Sequence, residues 1–221
     1  MRAIRTLAVA ALVALDVSAA AAQSTRHFKD SWFWGLKGGG TYYQVQSNPK
    51  AVVPMAGIDW LITRTSGGLY VSFDHSFFKR DSVFVNDSLS PLDTVPRTVI
   101  LSGMRRFTIA GMLFPMQSYL MHPYVGFGVT LSHIAKATPL GTYRNGTQQQ
   151  LVEGTVQNFR STGAPIVILG TQLRLLKFSA FVQGSAVPTN AQFFLWTGSG
   201  WRTTAEAGLR FNVGTSIDRM Q

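Results

Sequence analysis

Apolar and polar positions alternate most cleanly near the end of the chain, from Thr203 to Gly214, T-T-A-E-A-G-L-R-F-N-V-G. Ala205, Ala207, Leu209, Phe211 and Val213 fall on one side of an extended chain. Thr204, Glu206, Gly208, Arg210 and Asn212 fall on the other. A period of two marks a strand with one apolar and one polar face. An acid and a base on the polar face suit a narrow wet lumen, with the apolar side against lipid.

The same alternation recurs along the chain. In the segment Asp30 to Gln46, Trp34, Leu36 and Tyr42 oppose Lys37, Gly39 and Thr41. Val52 to Thr63 sets Ala56, Ile58, Trp60 and Ile62 against Gly57, Asp59 and Thr63. After a turn at Arg64 to Gly68, Leu69, Val71, Phe73 and Phe77 point outward and Tyr70, Ser72, Asp74 and Ser76 inward, which completes a hairpin. Lys79 to Asp93 loses periodicity and reads as a long polar loop. Thr94 to Phe107 is a strand whose register stays open, with Ile100 and Met104 on one face and Val99 and Leu101 on the other. Thr108 to Gln117 reads as a short connection or helical turn.

Tyr119 to Ile134 is a strong strand, with Val125, Phe127, Val129 and Leu131 outward and Tyr124, Gly126, Gly128, Thr130 and Ser132 inward. Ala135 to Arg160 reads as a second long polar loop. Ser161 to Leu173 and Lys177 to Ala186 are strands, and Pro188 to Gly200 a last loop. Its Phe193-Phe194-Leu195-Trp196 tip suits an aromatic girdle at the outer interface. The sum is eight strands joined by alternating tight turns and longer loops. That order places Arg64, Arg105, Arg106, Arg174 and Lys177 near the periplasmic rim.

The predicted fold class is all-β: an eight-stranded antiparallel up-and-down transmembrane β-barrel after a cleaved signal peptide. Residues 1–22 carry the export pattern, with Arg2 and Arg5, an apolar run from Leu7 to Leu15, and Ala20-Ala21-Ala22 before Gln23. Residues 23–221 form the barrel domain, about 199 residues and one domain by length. The chain has no cysteine, which removes disulfides, thiolate nucleophiles and thiolate metal sites. Its net charge is +10. The bases are scattered singly at turns and strand ends, which fits anionic lipid head groups and predicts no nucleic-acid partner.

With signal, strand count and pattern in place, the chain resembles the small eight-stranded outer-membrane barrels, the OmpA-like and OmpX-like group. The likeness rests on His122-Pro123-Tyr124-Val125-Gly126-Phe127-Gly128-Val129, similar to their P-Y-V-G-x-G-x-G stretch. It rests also on Gly208 to Val213, similar to their closing strand. Glu206, Gly208, Phe211 and Val213 resemble the assembly signal read by the barrel-insertion machinery. The resemblance implies a bacterial outer-membrane location, with outer-membrane lipids and lipopolysaccharide as surroundings and the barrel-assembly machinery as a partner during insertion.

Lys37, Asp59, Asp74, Glu206 and Arg210 are predicted to share the lumen as an ion-pair and hydrogen-bond network with a structural role. No catalytic, cofactor or metal site is predicted. His75 beside Ser76, and His133 beside Ser132, are neighbours on a strand and point to opposite faces, so neither forms a nucleophile–base contact. Asp81, Asp87 and Asp93 lack calcium-loop spacing. Gly35 and Gly38 to Gly40 lack the flanking strand and helix of a phosphate-cradling loop. The expected function is a non-enzymatic outer-membrane barrel with a structural or surface-interaction role through its loops. The alternatives are a lipid-modifying barrel enzyme, a narrow channel, or a soluble lipocalin-like ligand-binding barrel with its faces reversed.

Overall fold

The computed structural model describes residues 28–45, 48–78, 81–86, 96–116, 120–175, 177–189, 193–195 and 200–215. The signal segment and Trp196 lie outside them. Strands β1 (Ser31–Val45), β2 (Asn48–Thr63) and β3 (Gly67–Ser76) form a meander. β4 (Asp81–Asn86) and β5 (Pro96–Leu113) follow, then β6 (Met121–Pro139), helix α1 (Gly146–Phe159), β7 (Ser161–Leu175), β8 (Phe178–Pro188) and β9 (Trp201–Thr215).

Every pairing is antiparallel, and the sheet closes on itself. β9 pairs with both β1 and β8, and β3 pairs with β5. β3 lies against the Met104–Leu113 half of β5 and β4 against its Pro96–Leu101 half, so the two share one position in the wall. The closed wall has eight strand positions. Phe77 donates to the Pro54 carbonyl at 2.8 Å. From Pro54 the register runs through Gly40, Ala205, Gly184, Leu169, Val125 and Leu113 to Gly67. The path returns to its strand ten residues away from Phe77, and this shear tilts the strands of the barrel.

Alternation sets the faces. Leu36 is 70% exposed, Phe127 58% and Leu209 55%, whereas Asp59, Asp74 and Arg210 are buried to 1% or less. The charged face points inward and an apolar belt points outward, the reverse of what a soluble lipocalin-like barrel requires. Trp34 stacks on Trp60 at 5.8 Å, Trp32 meets Trp60 edge-on at 5.4 Å, and Phe178 lies 5.3 Å from Phe211. These aromatic rings gather on the outer wall toward the end with the tight turns.

Four loop or register readings change. Residues 81–86, inside the expected polar loop, form β4. Thr108–Leu113, expected to be a connection, continues β5, because Thr108, Ala110 and Met112 fill the lumen while Ile109 and Leu113 face out. The open register has a physical cause in Gly103, whose φ of +66° suits a residue without a Cβ. Val99 and Leu101 point inward before it, Met104 and Arg106 after it, so one strand presents odd and then even residues to the interior. The expected loop 135–160 holds the end of β6 and α1. Asn145 caps the helix by accepting from the Gln148 amide at 2.8 Å, and Val152 and Val156 bury one face. With so few apolar positions, the helical period is hidden among glutamines.

The fifth change concerns Phe193, Phe194 and Leu195, which are buried and not part of an interfacial girdle. The Phe194 amide donates to the Phe159 carbonyl at 3.2 Å, tying this segment to the end of α1. Together with Val152, Val156, Val83, Leu101, Met104 and Ile134 they form an apolar cluster over the loop end. A second cluster, including Phe28, Phe33, Leu61, Met112 and Phe114, fills the turn end. Phe28 meets the Phe114 ring edge-on at 4.9 Å and the His122 ring at 3.9 Å. The interior is thus a charged layer between two apolar plugs.

Candidate functional site

The charged layer is built from every position in the wall. Lys37 reaches in from β1, Asp59 from β2, Tyr70 and Asp74 from β3, and Arg106 from β5. Tyr124, Gln172, Gln183 and the pair Glu206 and Arg210 complete the ring from β6, β7, β8 and β9.

One half centres on Lys37. Its Nζ lies 2.7 Å from Glu206 Oε2 and 2.8 Å from Asp74 Oδ1, and it donates to Tyr70 Oη at 2.9 Å. Arg106 bridges the same two carboxylates. Its Nε donates to Asp74 Oδ2 at 2.9 Å, its Nη2 pairs with Glu206 Oε1, and its Nη1 donates to Thr204 Oγ1 at 3.0 Å. Two cations and two carboxylates therefore alternate around a closed quartet. Gln183 extends it, donating to Glu206 Oε2 at 2.8 Å and to Tyr70 Oη at 3.0 Å, and accepting from Tyr124 Oη at 2.8 Å.

The other half centres on Arg210, which is fully buried. Its Nε and Nη2 donate to the two oxygens of Asp59 at 3.1 and 3.0 Å, a forked contact that suits a planar guanidinium. Nη1 donates to Gln172 Oε1 at 2.8 Å, and the guanidinium carbon lies 3.8 Å from the centre of the Phe181 ring. Buried ions are costly unless paired and hydrogen-bonded. Here the pairing is dense.

Glycines make the room. A Cβ on Gly35 would come within 2.3 Å of Asp59 Oδ1, and one on Gly57 within 2.2 Å of Asp74 Oδ1. Both carboxylates occupy space that a side chain on the neighbouring strand would fill.

Two arginines of this interior escaped sequence reasoning. Arg106 was expected at the periplasmic rim and lies in the middle of the lumen, while Arg105 points outward in the wall beside it. The even-numbered positions from Arg106 onward carried the signal, once the shift of face at Gly103 is known. Arg202 is the second. It is buried against the outer cluster, donating to Ser132 Oγ at 2.7 Å with its guanidinium 5.6 Å from the Phe193 ring. No carboxylate among the described residues pairs with it. Arg64, Arg174 and Lys177 lie at the turn end.

Of the assembly-signal residues on β9, Phe211 and Val213 face outward, Glu206 faces the lumen, and Gly208 has no room for a Cβ beside the Phe181 ring. The histidines have partners other than their chain neighbours. His133 Nδ1 lies 2.7 Å from Ser161 Oγ on the adjacent strand β7, on the outer face. His75 packs on Phe77 with ring centres 4.7 Å apart. No carboxylate among the described residues joins either histidine.

No family model and no curated protein matches the chain. Solved structures do match. Neisserial surface protein A is 10% identical, the match covering 81% of this chain and 96% of that one with a TM-score of 0.51. The N-terminal β-barrel domain of Pseudomonas aeruginosa OprF is 10% identical, covering 83% and 98%, with a TM-score of 0.44. The attachment invasion locus protein Ail of Yersinia pestis, solved with the heparin analogue sucrose octasulfate, is 8% identical, covering 84% and 99%, with a TM-score of 0.47. The closed eight-position antiparallel wall and its likeness to Neisserial surface protein A give this chain the fold of the small eight-stranded outer-membrane β-barrels.

Proposed function

We propose that the chain is a non-enzymatic protein of the bacterial outer membrane, whose barrel is a rigid anchor and whose role lies at its loop end. The observation that carries this reading is the interior. A charged layer with every wall position engaged lies between two apolar plugs, so the functional surface is outside. Within this reading the lumen network is structural, lipopolysaccharide and other outer-membrane lipids surround the belt, and the segments 79–93 and 135–160 meet partners. Glu206, Gly208, Phe211 and Val213 present β9 to the insertion machinery. A lipid-cutting site would need a carboxylate beside the His133–Ser161 contact, and no such group is present among the described residues.

Two measurements test it. Outer-membrane pellets run unboiled and boiled on a denaturing gel give a band that shifts on heating. The purified barrel in planar bilayers gives no steady single-channel steps. A soluble periplasmic protein without the shift overturns the location, and discrete conductance overturns the sealed lumen.

A further inference from the structure

The outer wall changes character along one line. The register of β3, β5, β6 and β7 aligns His75, Arg105, His133 and Ser161 in a single row. Two residues nearer the turn end, Phe73, Phe107, Leu131 and Gly163 form the next row. Below that come Val71, Ile109, Val129 and Pro165. The polar row is the first above the apolar belt.

A groove of about 480 Å³ opens here on the outer face, with Arg105, His133 and Ser161 along one edge and Phe73, Phe107 and Leu131 along the other. The dent comes from Gly163, which leaves Leu131 uncovered. Leu131 is 60% exposed. Arg105 is exposed and forms no ion pair with any described carboxylate. His133 has one ring nitrogen on Ser161, leaving Nε2 directed elsewhere. Arg160 lies beside the row, donating to the carbonyls of Ile134 and Ala135 at 2.9 and 2.7 Å, and Lys136 is exposed further along β6. This part of the wall gathers cations and hydrogen-bond donors directly over apolar side chains.

We propose that this groove is a binding site for a phosphorylated, acylated lipid of the outer leaflet. Arg105, His133 and Ser161 hold the headgroup phosphate while acyl chains lie over Phe73, Phe107 and Leu131. Charge complementarity selects the occupant. A guanidinium pairs with phosphate through two parallel donors, and a neutral headgroup offers nothing equivalent. The apolar row directly below favours a phosphate carried on a lipid over a free ion. The inference rests on the outer-membrane reading and deepens it by naming the site.

The test uses the folded barrel in detergent, titrated with lipopolysaccharide lipid core carrying or lacking its phosphates, with inorganic phosphate alone as a further arm. The readout is lipid retained per barrel in native mass spectrometry. The phosphorylated form is retained by the natural chain, and Arg105→Ser with His133→Ser lowers apparent affinity about tenfold. Both side chains face outward, so the unboiled band still shifts on heating. Arg144→Ser, which removes a cation elsewhere at the loop end, leaves retention unchanged. Equal retention of phosphorylated and dephosphorylated lipid, or equal loss in the Arg144 variant, overturns the site. Saturation by inorganic phosphate alone overturns the lipid as its occupant. Loss of the heat shift in the natural chain counts instead against the outer-membrane barrel reading, so the two failures stay distinct.

Discussion

Lys37 Nζ and Glu206 Oε2 lie 2.7 Å apart across the seam where the first and last strands of the barrel meet. The pair is buried to 1% side-chain exposure on each side, so water does not screen it. Removing one partner leaves the other charge in a dry interior. Glu206→Gln should therefore destabilise the barrel by about 3–5 kcal/mol. The temperature at which the compact band is lost on an unboiled gel falls accordingly. A midpoint equal to that of the natural chain would show that the seam does not depend on this pair.

Arg210 and Asp59 form the second ion pair of the layer, with Gln172 and Gln183 as further acceptors for the guanidinium. Arg210→Met and Asp59→Leu are each expected to cost several kcal/mol, because each strands a buried ion. The double variant should recover part of that loss, giving a favourable coupling of about 1–3 kcal/mol in a double-mutant cycle. Urea unfolding of the reconstituted barrel measures all four corners. Strict additivity would mean that the forked contact contributes nothing to stability.

Gly35 and Gly38 are both in β1 and face opposite ways. Gly35→Ala pushes a methyl to within 2.3 Å of Asp59 Oδ1, whereas a methyl on Gly38 has Met55 O as its nearest neighbour at 3.7 Å. The first substitution should cost about 1–3 kcal/mol by overpacking and the second almost nothing. Heat-shift midpoints of the two variants make the comparison. Equal midpoints would show that the carboxylate swings aside freely.

Asn145→Ala removes the side chain that caps α1, worth about 1 kcal/mol of local helix stability. The barrel below should keep its heat shift while limited proteolysis cuts faster within 140–160. Unchanged proteolysis would show that Val152 and Val156 hold the helix without its cap.

The wall was legible because its signal is local. Each strand from Ser31 to Ser76, and again from Tyr124 to Ser132, reads its two faces directly from alternate residues. The charged residues Lys37, Asp59, Asp74, Glu206 and Arg210 could be named because an ion on an otherwise alternating face has one place to go. Arg106 is hidden in the sequence because the shift of face at Gly103 breaks the parity set by Val99 and Leu101. The loop end failed for a different reason. Val83, Val152 and Phe193 come from three distant segments and bury one another, and no periodicity within any one segment records a partner so far along the chain. The contact of His133 with Ser161 is likewise a cross-strand fact, set by a register that neither residue announces.

The placing of the charged layer constrains how the barrel can form. Lys37 on the first strand and Glu206 and Arg210 on the last carry three of its ions; Lys37 and Glu206 pair with each other, and Asp59, Asp74 and Arg106 stand on strands in between. Glu206 and Arg210 reach Lys37 and Asp59 across the seam where the two ends of the chain meet. Once they meet, the apolar plugs shut off both ends. Closure therefore completes the charge balance: Asp74 faces Lys37 and Arg106 from strands that do not cross the seam, whereas Glu206 and Arg210 reach their partners from the last strand. The β1–β9 register thus decides whether Lys37 stands within reach of Glu206, and Asp59 within reach of Arg210.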